Sequence, residues 1–434
     1  VETPVTVAVI GAGNRGRDAY AGWCLEHPDL ARVVAVADPS EERRNELGER
    51  HGIPAERRYA SWEAVLAQPR LADGVVIATP DRLHVEPALR AMELGYDILL
   101  EKPIAPTREE VLRVAEAADR LRAEKGGSVT VAHVLRYTPF FSTLKRLLDQ
   151  GRIGRLVSVQ YAENVGYWHF AHSYVRGNWR QAATSSPMIL AKSCHDMDML
   201  RWLVGSSWRS LASFGSLVHF RAENAPEGAP ARCTDGCPAS ERCPFDAVRF
   251  YVENLEDWTG WPVSVITRDF SREGRLRALR VGPYGRCVYR CDNDVVDHQV
   301  ASIEFEGGVT AAFTVCGFTE ENTRTLKLMG TEGEIRGHLE KGEIEVRSFL
   351  PRRDPGSGHE TVQVGPGAGH AGGDEGLMEA FVRRLEARRA GRAPEEALTS
   401  LAESLESHMM AFAAEEARVR GAVVRNASSA GSSD

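Results

Sequence analysis

Val5-Thr6-Val7-Ala8-Val9-Ile10-Gly11-Ala12-Gly13-Asn14-Arg15-Gly16 is the stretch that decides the fold. Its apolar half reads as a strand buried on both faces, and it runs directly into the glycines at 11, 13 and 16. That spacing lets the backbone turn tightly, approach a pyrophosphate and rest it on the N-terminus of the next helix. A second apolar run, Val33-Val34-Ala35-Val36-Ala37, ends in Asp38, where a carboxylate accepts ribose hydroxyls. Gly11, Gly13, Asn14, Arg15, Gly16 and Asp38 are thus the first candidate dinucleotide contacts. Asp38 favours NAD over NADP, because a 2′-phosphate would meet its charge. Ser40 and Arg43 follow closely, and an arginine there is able to take the extra phosphate.

Outward from this turn, strand-like and helix-like segments alternate to about residue 132. The strands read Val5–Ile10, Val33–Ala37, Gly74–Ala78, Asp97–Leu100 and Ser128–Ala132. Between them, Arg17–Glu26, Glu41–His51, Ser61–Ala67, Leu83–Leu94 and Arg108–Lys125 carry helical periodicity. Such alternation predicts an α/β Rossmann domain over residues 1–134, with its ligand crevice at the strands' C-terminal ends.

After Leu135 the pattern changes. Leu156–Asn164, Leu211–Phe220, Gln299–Phe305, Val309–Phe318, Arg324–Met329 and Glu343–Phe349 read as longer strands, several separated by turns such as Glu306-Gly307-Gly308. Helices are expected over Glu375–Arg389 and Glu395–Arg420. The prediction is a C-terminal α+β domain over 135–425 with a large, mainly antiparallel sheet and a cysteine-rich insertion near 225–295. Pro351–Gly373 reads as a mobile loop and 426–434 as a disordered tail.

The formal net charge of −8 argues against a nucleic-acid or anionic-membrane surface. No apolar run approaches the roughly 18–20 residues that span a bilayer, and a cytoplasmic protein is expected.

Four motifs carry a family resemblance: the glycine turn, Ala78-Thr79-Pro80 with His84, Glu101-Lys102-Pro103, and His195-Asp196-Met197-Asp198. With the weaker Arg136-Tyr137 and Gly151-Arg152-Ile153-Gly154, residues 5–200 resemble the glucose-fructose oxidoreductase, inositol dehydrogenase and MocA family. The resemblance implies a nicotinamide cofactor, a sugar or cyclitol substrate, and a homodimer or homotetramer paired through an open sheet face. It places Thr79, Pro80, His84, Glu101 and Lys102 around the cofactor, and Arg136 and Tyr137 near the substrate. It also implies that Lys102 reaches the substrate hydroxyl beside the nicotinamide. An ammonium there orients the reacting oxygen and stabilises developing negative charge.

His195 matches the family's catalytic histidine, with an imidazole suited to proton transfer near neutrality. The family's carboxylate four residues earlier is replaced by Ala191, and Lys192 stands beside it, either as a substitute polar group or as a substrate contact. This departure opens an alternative to the dehydrogenase, a redox-neutral NAD-dependent glycosidase. It oxidises C3, eliminates the C1 leaving group, adds water and reduces the ketone again, unlike the two-carboxylate route. A base near C2 would then come from Tyr167, His169 or His172. Trp168 and His172 offer a face for a sugar, and Arg176 and Arg180 a site for an anionic substituent. Packing accounts equally for these rings, and solvation for these arginines.

Cys233, Cys237 and Cys243 fall within one Gly/Pro-rich loop, and Cys287 and Cys291 within another. Three thiolates from the first and one from the second would complete a soft four-coordinate site for structural zinc or, second, an iron–sulfur cluster. Free thiols or disulfides are the alternative.

Overall fold

The structure is a computed structural model that describes residues 3–349, 358–365, 367 and 369–427. The chain forms two compact units. The first takes Val1–Val157, Cys194–Trp208 and Met329–Phe412; the second takes Ser158–Ser193, Arg209–Leu328 and Ala413–Asp434.

The first unit is built on a six-stranded parallel sheet. Its strands are β1 (Val5–Ile10), β2 (Ala31–Ala37), β3 (Arg58–Tyr59), β4 (Gly74–Ile77), β5 (Asp97–Leu100) and β6 (Val129–Val131). Their order is β3-β2-β1-β4-β5-β6, with the five expected strands in place and β3 as a short unforeseen edge. β4 and β5 are buried at every position, so Val75–Ile77 and Ile98–Leu100 read as apolar runs rather than alternating ones. β1 pairs with β2 on one side and β4 on the other. The order therefore reverses at β1 and opens a crevice at the C-terminal ends of β1 and β4.

Helix starts follow their caps. Ser40, Ser61 and Thr107 each accept a backbone N–H of the first turn, opening Glu41–Arg50, Trp62–Leu66 and Arg108–Lys125. The last helix begins at Leu401 rather than near residue 395. Thr399 instead exchanges hydrogen bonds with Val131 at the edge of β6, its carbonyl accepting at 2.8 Å and its hydroxyl donating at 2.7 Å. Ser400 then accepts the N–H of Glu403 and caps the helix.

The second sheet is mixed and mostly antiparallel. In the second unit it contains β7 (Leu156–Gly166), β8 (Trp208–Ser216), β9 (His298–Phe305), β10 (Thr310–Thr319) and β11 (Thr323–Gly330, whose last two residues count with the first unit). β10 runs parallel to β7 and antiparallel to β9. β9 and β10 alternate buried and exposed residues, as a sheet with one covered face requires. In the first unit β12 (Gly333–His338), β13 (Glu343–Ser348) and β14 (His359–Gln363) form an antiparallel meander. β14 corrects the expectation of a loop over Pro351–Gly373, because His359–Gln363 pairs with β13; residues 351–357, 366 and 368 lie outside the described residues. Most of the expected tail, 428–434, lies outside them too.

Residues 222–290 form short helices and turns over a small core of Ala247, Tyr251, Val252, Leu279 and Tyr284. No helix among the described residues is long and apolar enough to cross a membrane.

Candidate active site

The glycine turn meets a geometric demand at each end. Gly11 has φ +96°, and a Cβ there would lie 2.5 Å from the carbonyl oxygen of Ala78, where β4 ends. A Cβ at Gly16 would lie 1.9 Å from the Gly11 oxygen. At Gly13 a Cβ would meet nothing within 4 Å, so the backbone there faces open space at the head of the helical segment Asn14–Glu26. This is the cradle a dinucleotide pyrophosphate requires, and the residues present fit NAD.

Asp38 is buried at the end of β2 and tied to the turn. One carboxylate oxygen accepts the N–H of Ala12 at 2.8 Å; the other accepts the N–H of Ser40 at 2.8 Å and Arg43 Nη2 at 2.9 Å. Arg43, expected to be able to take a 2′-phosphate, is here paired with Asp38. Asn14 donates to Asp18 at 3.1 Å. The Thr79 hydroxyl donates to the Leu83 carbonyl, and Pro80 leads into a short turn at Asp81–Leu83. His84 is fully buried. Its ring reaches the carbonyls of Pro103 at 2.7 Å and Thr79 at 2.8 Å. The expected cofactor contact is therefore corrected to a strut joining the loops after β4 and β5.

Glu101-Lys102-Pro103 follows β5, and its Lys102–Pro103 peptide is cis. Glu101 accepts Arg15 Nε at 2.6 Å and the Tyr20 hydroxyl on one oxygen, and the Lys102 N–H at 3.0 Å on the other. Burial opposes its charge, but Arg15, Lys102 and Tyr20 outweigh that and hold its carboxyl below the usual range. Arg15 continues to Asp374, whose two oxygens accept its two Nη groups at 2.9 and 2.7 Å. The glycine turn, the lysine loop and a residue from near the far end of the chain thus share one ionic network.

Half-buried Lys102 lies close enough to His133 and Cys194 for its charge to act on both. His195, nearly buried at the start of the helix Cys194–Val204, has its ring centroid 5.6 Å from that of His133. His133 is fully buried, and neither ring nitrogen has a hydrogen-bond partner among the described residues. Burial, then Arg136 and Lys102, pushes its pKa well below the histidine range and keeps it neutral. His133 carries no motif; its one sequence signal is a polar residue placed just after β6, where crevice residues fall. Asp374 and Tyr20 escaped notice because their partners come from other parts of the chain.

Several expected substrate contacts are committed elsewhere. Arg136, 1% exposed, donates to Asp198 at 2.8 and 2.7 Å and to the Leu398 carbonyl, so it is a core ion pair and not a substrate ligand. The Tyr137 hydroxyl lies 3.2 Å from that of Thr399. The helical turn expected to join Ala191 to His195 is broken at Lys192-Ser193, which separates Met188–Ala191 from the helix at Cys194.

In the second unit, Lys192 is paired with Glu163 at 3.0 Å, and Arg324 holds the other Glu163 oxygen at 2.7 Å. Lys192 is thus held in an ion pair with Glu163. His169 Nδ1 contacts Asn322 at 2.7 Å. Trp168 packs on Phe250 and Trp261, and the Tyr167 ring on Phe245. His172 is buried against Tyr251, 2.7 Å from its hydroxyl, and burial followed by Arg176 lowers its pKa to about 3. It is a packing residue, neither sugar platform nor base. Arg180 pairs with Asp292 at 2.9 Å.

Arg176 is buried and donates to the carbonyls of Arg286 and Phe245, both at 2.7 Å, so it is not an anion site. It also explains the cysteines. Cys233, Cys237, Cys243 and Cys287 line one cavity of about 10 Å³, but Arg176 lines it as well, with Nη2 3.6 Å from Cys233 Sγ. Cys291 turns its thiol to the Cys287 carbonyl. A cation already stands among the thiols, and among the described residues no group of three or more His, Cys, Asp or Glu is arranged to hold a metal. The expected zinc or iron–sulfur site gains no support; all five thiols are free.

Comparison with known proteins agrees with this arrangement. The family described as "Oxidoreductase family, NAD-binding Rossmann fold" (GFO_IDH_MocA) matches residues 5–133, and its "C-terminal alpha/beta domain" matches 145–364. The chain belongs to this family of NAD-binding oxidoreductases. It is 26% identical to YteT of Bacillus subtilis (strain 168), an oxidoreductase by name, over 71% of each chain. It is 33% identical to an inositol 2-dehydrogenase of Streptomyces avermitilis over 51% of this chain and 59% of that one. The chain thus spans from 47% to 71% of the length of the curated relatives it matches. In fold it is similar to levoglucosan dehydrogenase in complex with NADH, with a TM-score of 0.70 at 21% identity over 98% of this chain and 99% of that one.

Proposed function

We propose that the protein is an NAD-dependent dehydrogenase that oxidises a ring hydroxyl of a sugar or cyclitol. The observation that carries this reading is Lys102 fixed at the end of β5 by the Arg15–Glu101 network, its charge acting on His133, whose ring lies 5.6 Å from that of His195. Relatives named for inositol and levoglucosan support the substrate class. Bound NAD supplies the acceptor for the substrate's carbon-bound hydrogen. Lys102 orients the reacting oxygen and holds its proton, and His195 lies within the same pocket of imidazoles. NAD is favoured over NADP because a carboxylate at the end of β2, Asp38, accepts ribose hydroxyls and repels a 2′-phosphate.

We assign residues 1–134 to cofactor binding and 135–425 to substrate binding and subunit contact. Exposed Phe214 and Val300 on the second sheet suit a homodimer or tetramer paired through that face. With all eight cysteines free, a reducing cytoplasmic setting is the matching one. The glycosidase alternative gains no observation: His169 is held by Asn322, and the relatives cited are oxidoreductases and dehydrogenases.

The test is NADH formation from NAD with myo-inositol, levoglucosan and free hexoses, run beside aryl glycosides. Stoichiometric NADH from a free polyol is expected. Aglycone release over many turnovers without matching NADH would replace the dehydrogenase by the glycosidase.

A further inference from the structure

The segment His370–Gly376 brings an imidazole to the site that no motif announces. His370 and Ala371 adopt φ of +43° and +55°, a left-handed conformation that costs a non-glycine residue and persists where the surroundings impose it. Asp374 ties this segment to the glycine turn. This carboxylate receives both Nη groups of Arg15 and lies 2.9 Å from His370 Nδ1. Burial opposes its charge, yet Arg15 and His370 prevail and hold its carboxyl far below the carboxylate range. Asp374 thus stays ionised and, with Arg15 Nη1 3.3 Å from the same nitrogen, fixes the imidazole through Nδ1, which leaves Nε2 for another partner.

That imidazole stands between the interior and water. The His370 side chain is 46% exposed, and its ring centroid lies 6.5 Å from that of His195, which is nearly buried. Two rings at that separation are too far apart for a direct hydrogen bond, but one hydroxyl or water bonded to both spans the gap. The inward direction is closed. His408 lies beyond His133, and its Nε2 accepts the Ile104 N–H at 3.0 Å while Nδ1 faces the Ser404 carbonyl at 2.8 Å.

We propose that His370, oriented by Asp374, is a second acid–base residue of this site, the one that passes the substrate proton to solvent. The proposal rests on the dehydrogenase reading. In the oxidation, the hydroxyl carbon gives up its hydrogen with the bonding electron pair to NAD. The O–H electrons become the second C=O bond, and the freed proton passes by way of His370 to water. The same Arg15 that fixes Asp374 also fixes Glu101, and through it the Lys102 backbone, so the dyad and the lysine share one frame.

The experiment uses full-length enzyme, NAD and whichever polyol of the panel reacts. His370→Ala is expected to lower kcat about 100-fold, within the range of a lost acid–base group, with KM changed less than about 3-fold. Free imidazole is expected to restore at least about 10-fold of that loss, which a merely structural role would not allow. Asp374→Asn, which leaves the imidazole in place but unoriented, is expected to fall between wild type and His370→Ala. NADH affinity of His370→Ala stays within about 3-fold. The proposal is overturned by a His370→Ala kcat near wild type, by a loss that imidazole does not rescue, or by an equal loss of NADH affinity. A wild-type enzyme that turns over no polyol overturns the dehydrogenase reading, and this one with it.

Discussion

The turn after β1 and the cysteine-rich insertion both hold chemically suggestive residues, yet they use them in opposite ways. In the turn, the signal is the absence of side chains: Gly11 and Gly16 sit where a Cβ would strike backbone, and Gly13 faces open space. In the insertion, the signal is five thiols, and their shared cavity is partly filled by the buried guanidinium of Arg176. Backbone demands are local and repeat wherever the same turn is needed. Side-chain assemblies depend on what the rest of the chain sends to the same place. A spacing of glycines is therefore a safer guide to function than a spacing of cysteines.

That contrast breaks most easily at Gly16. Gly16→Ala places a methyl 1.9 Å from the Gly11 oxygen. It is expected to weaken NADH binding by at least about 100-fold in a fluorescence titration, about 2.7 kcal/mol. Retention of near wild-type affinity would show that the turn tolerates reshaping and remove the geometric argument. Arg176→Met tests the other region. Losing a buried donor to the Phe245 and Arg286 carbonyls is expected to cost about 2–4 kcal/mol in urea unfolding, with NADH affinity within about 2-fold. An unchanged stability would mean the thiols, and not the arginine, hold the insertion.

Gly13→Ala sharpens the comparison inside the turn itself. Its methyl meets no protein atom within 4 Å. The apoprotein's Tm should therefore hold within about 2 °C while NADH affinity falls about 10-fold. A drop in Tm would show that the open face is needed for folding and not for a ligand.

The smallest effect concerns pH. The folded pKa of His172 is lowered to about 3, below the ordinary value near 6.5. Folding therefore favours its neutral form. The stability this gives is complete above pH ~6.5 and is lost as pH falls from there toward 3, where the unfolded chain binds the extra proton. His408, also lowered to about 3 by burial and then His133, acts in the same direction. His172→Gln keeps a partner for Tyr251 but cannot titrate, so its urea stability should fall less steeply between pH 6.5 and 4 than that of the parent. Identical slopes would mean that His172 is not held neutral.

The sequence disclosed most of the frame, because strand and helix periodicity, N-caps and the glycine turn are written over a few residues. The parallel order, the crevice beside β1 and the position of Lys102 after β5 follow from such local patterns. What escaped it came from distant pairings. Arg136 reads as a substrate ligand until Asp198 is seen beside it, and Lys192 as a substitute polar group or substrate contact until Glu163 is. β14 was hidden because its pairing is with β13, and nothing in His359–Gln363 itself alternates strongly. The reverse also holds: His133 and Asp374 gain their meaning only from Lys102 and Arg15.

The most direct test of the account is isotopic. A reactive polyol carrying deuterium on the oxidised ring carbon would be incubated with NAD and the enzyme, and the cofactor recovered for mass spectrometry. The account predicts NADH carrying that deuterium in equal amount to ketone formed, and loss of both in Lys102→Ala with NADH binding kept within a few-fold. Deuterium lost to water with no labelled NADH accumulating, or full turnover without Lys102, would contradict it.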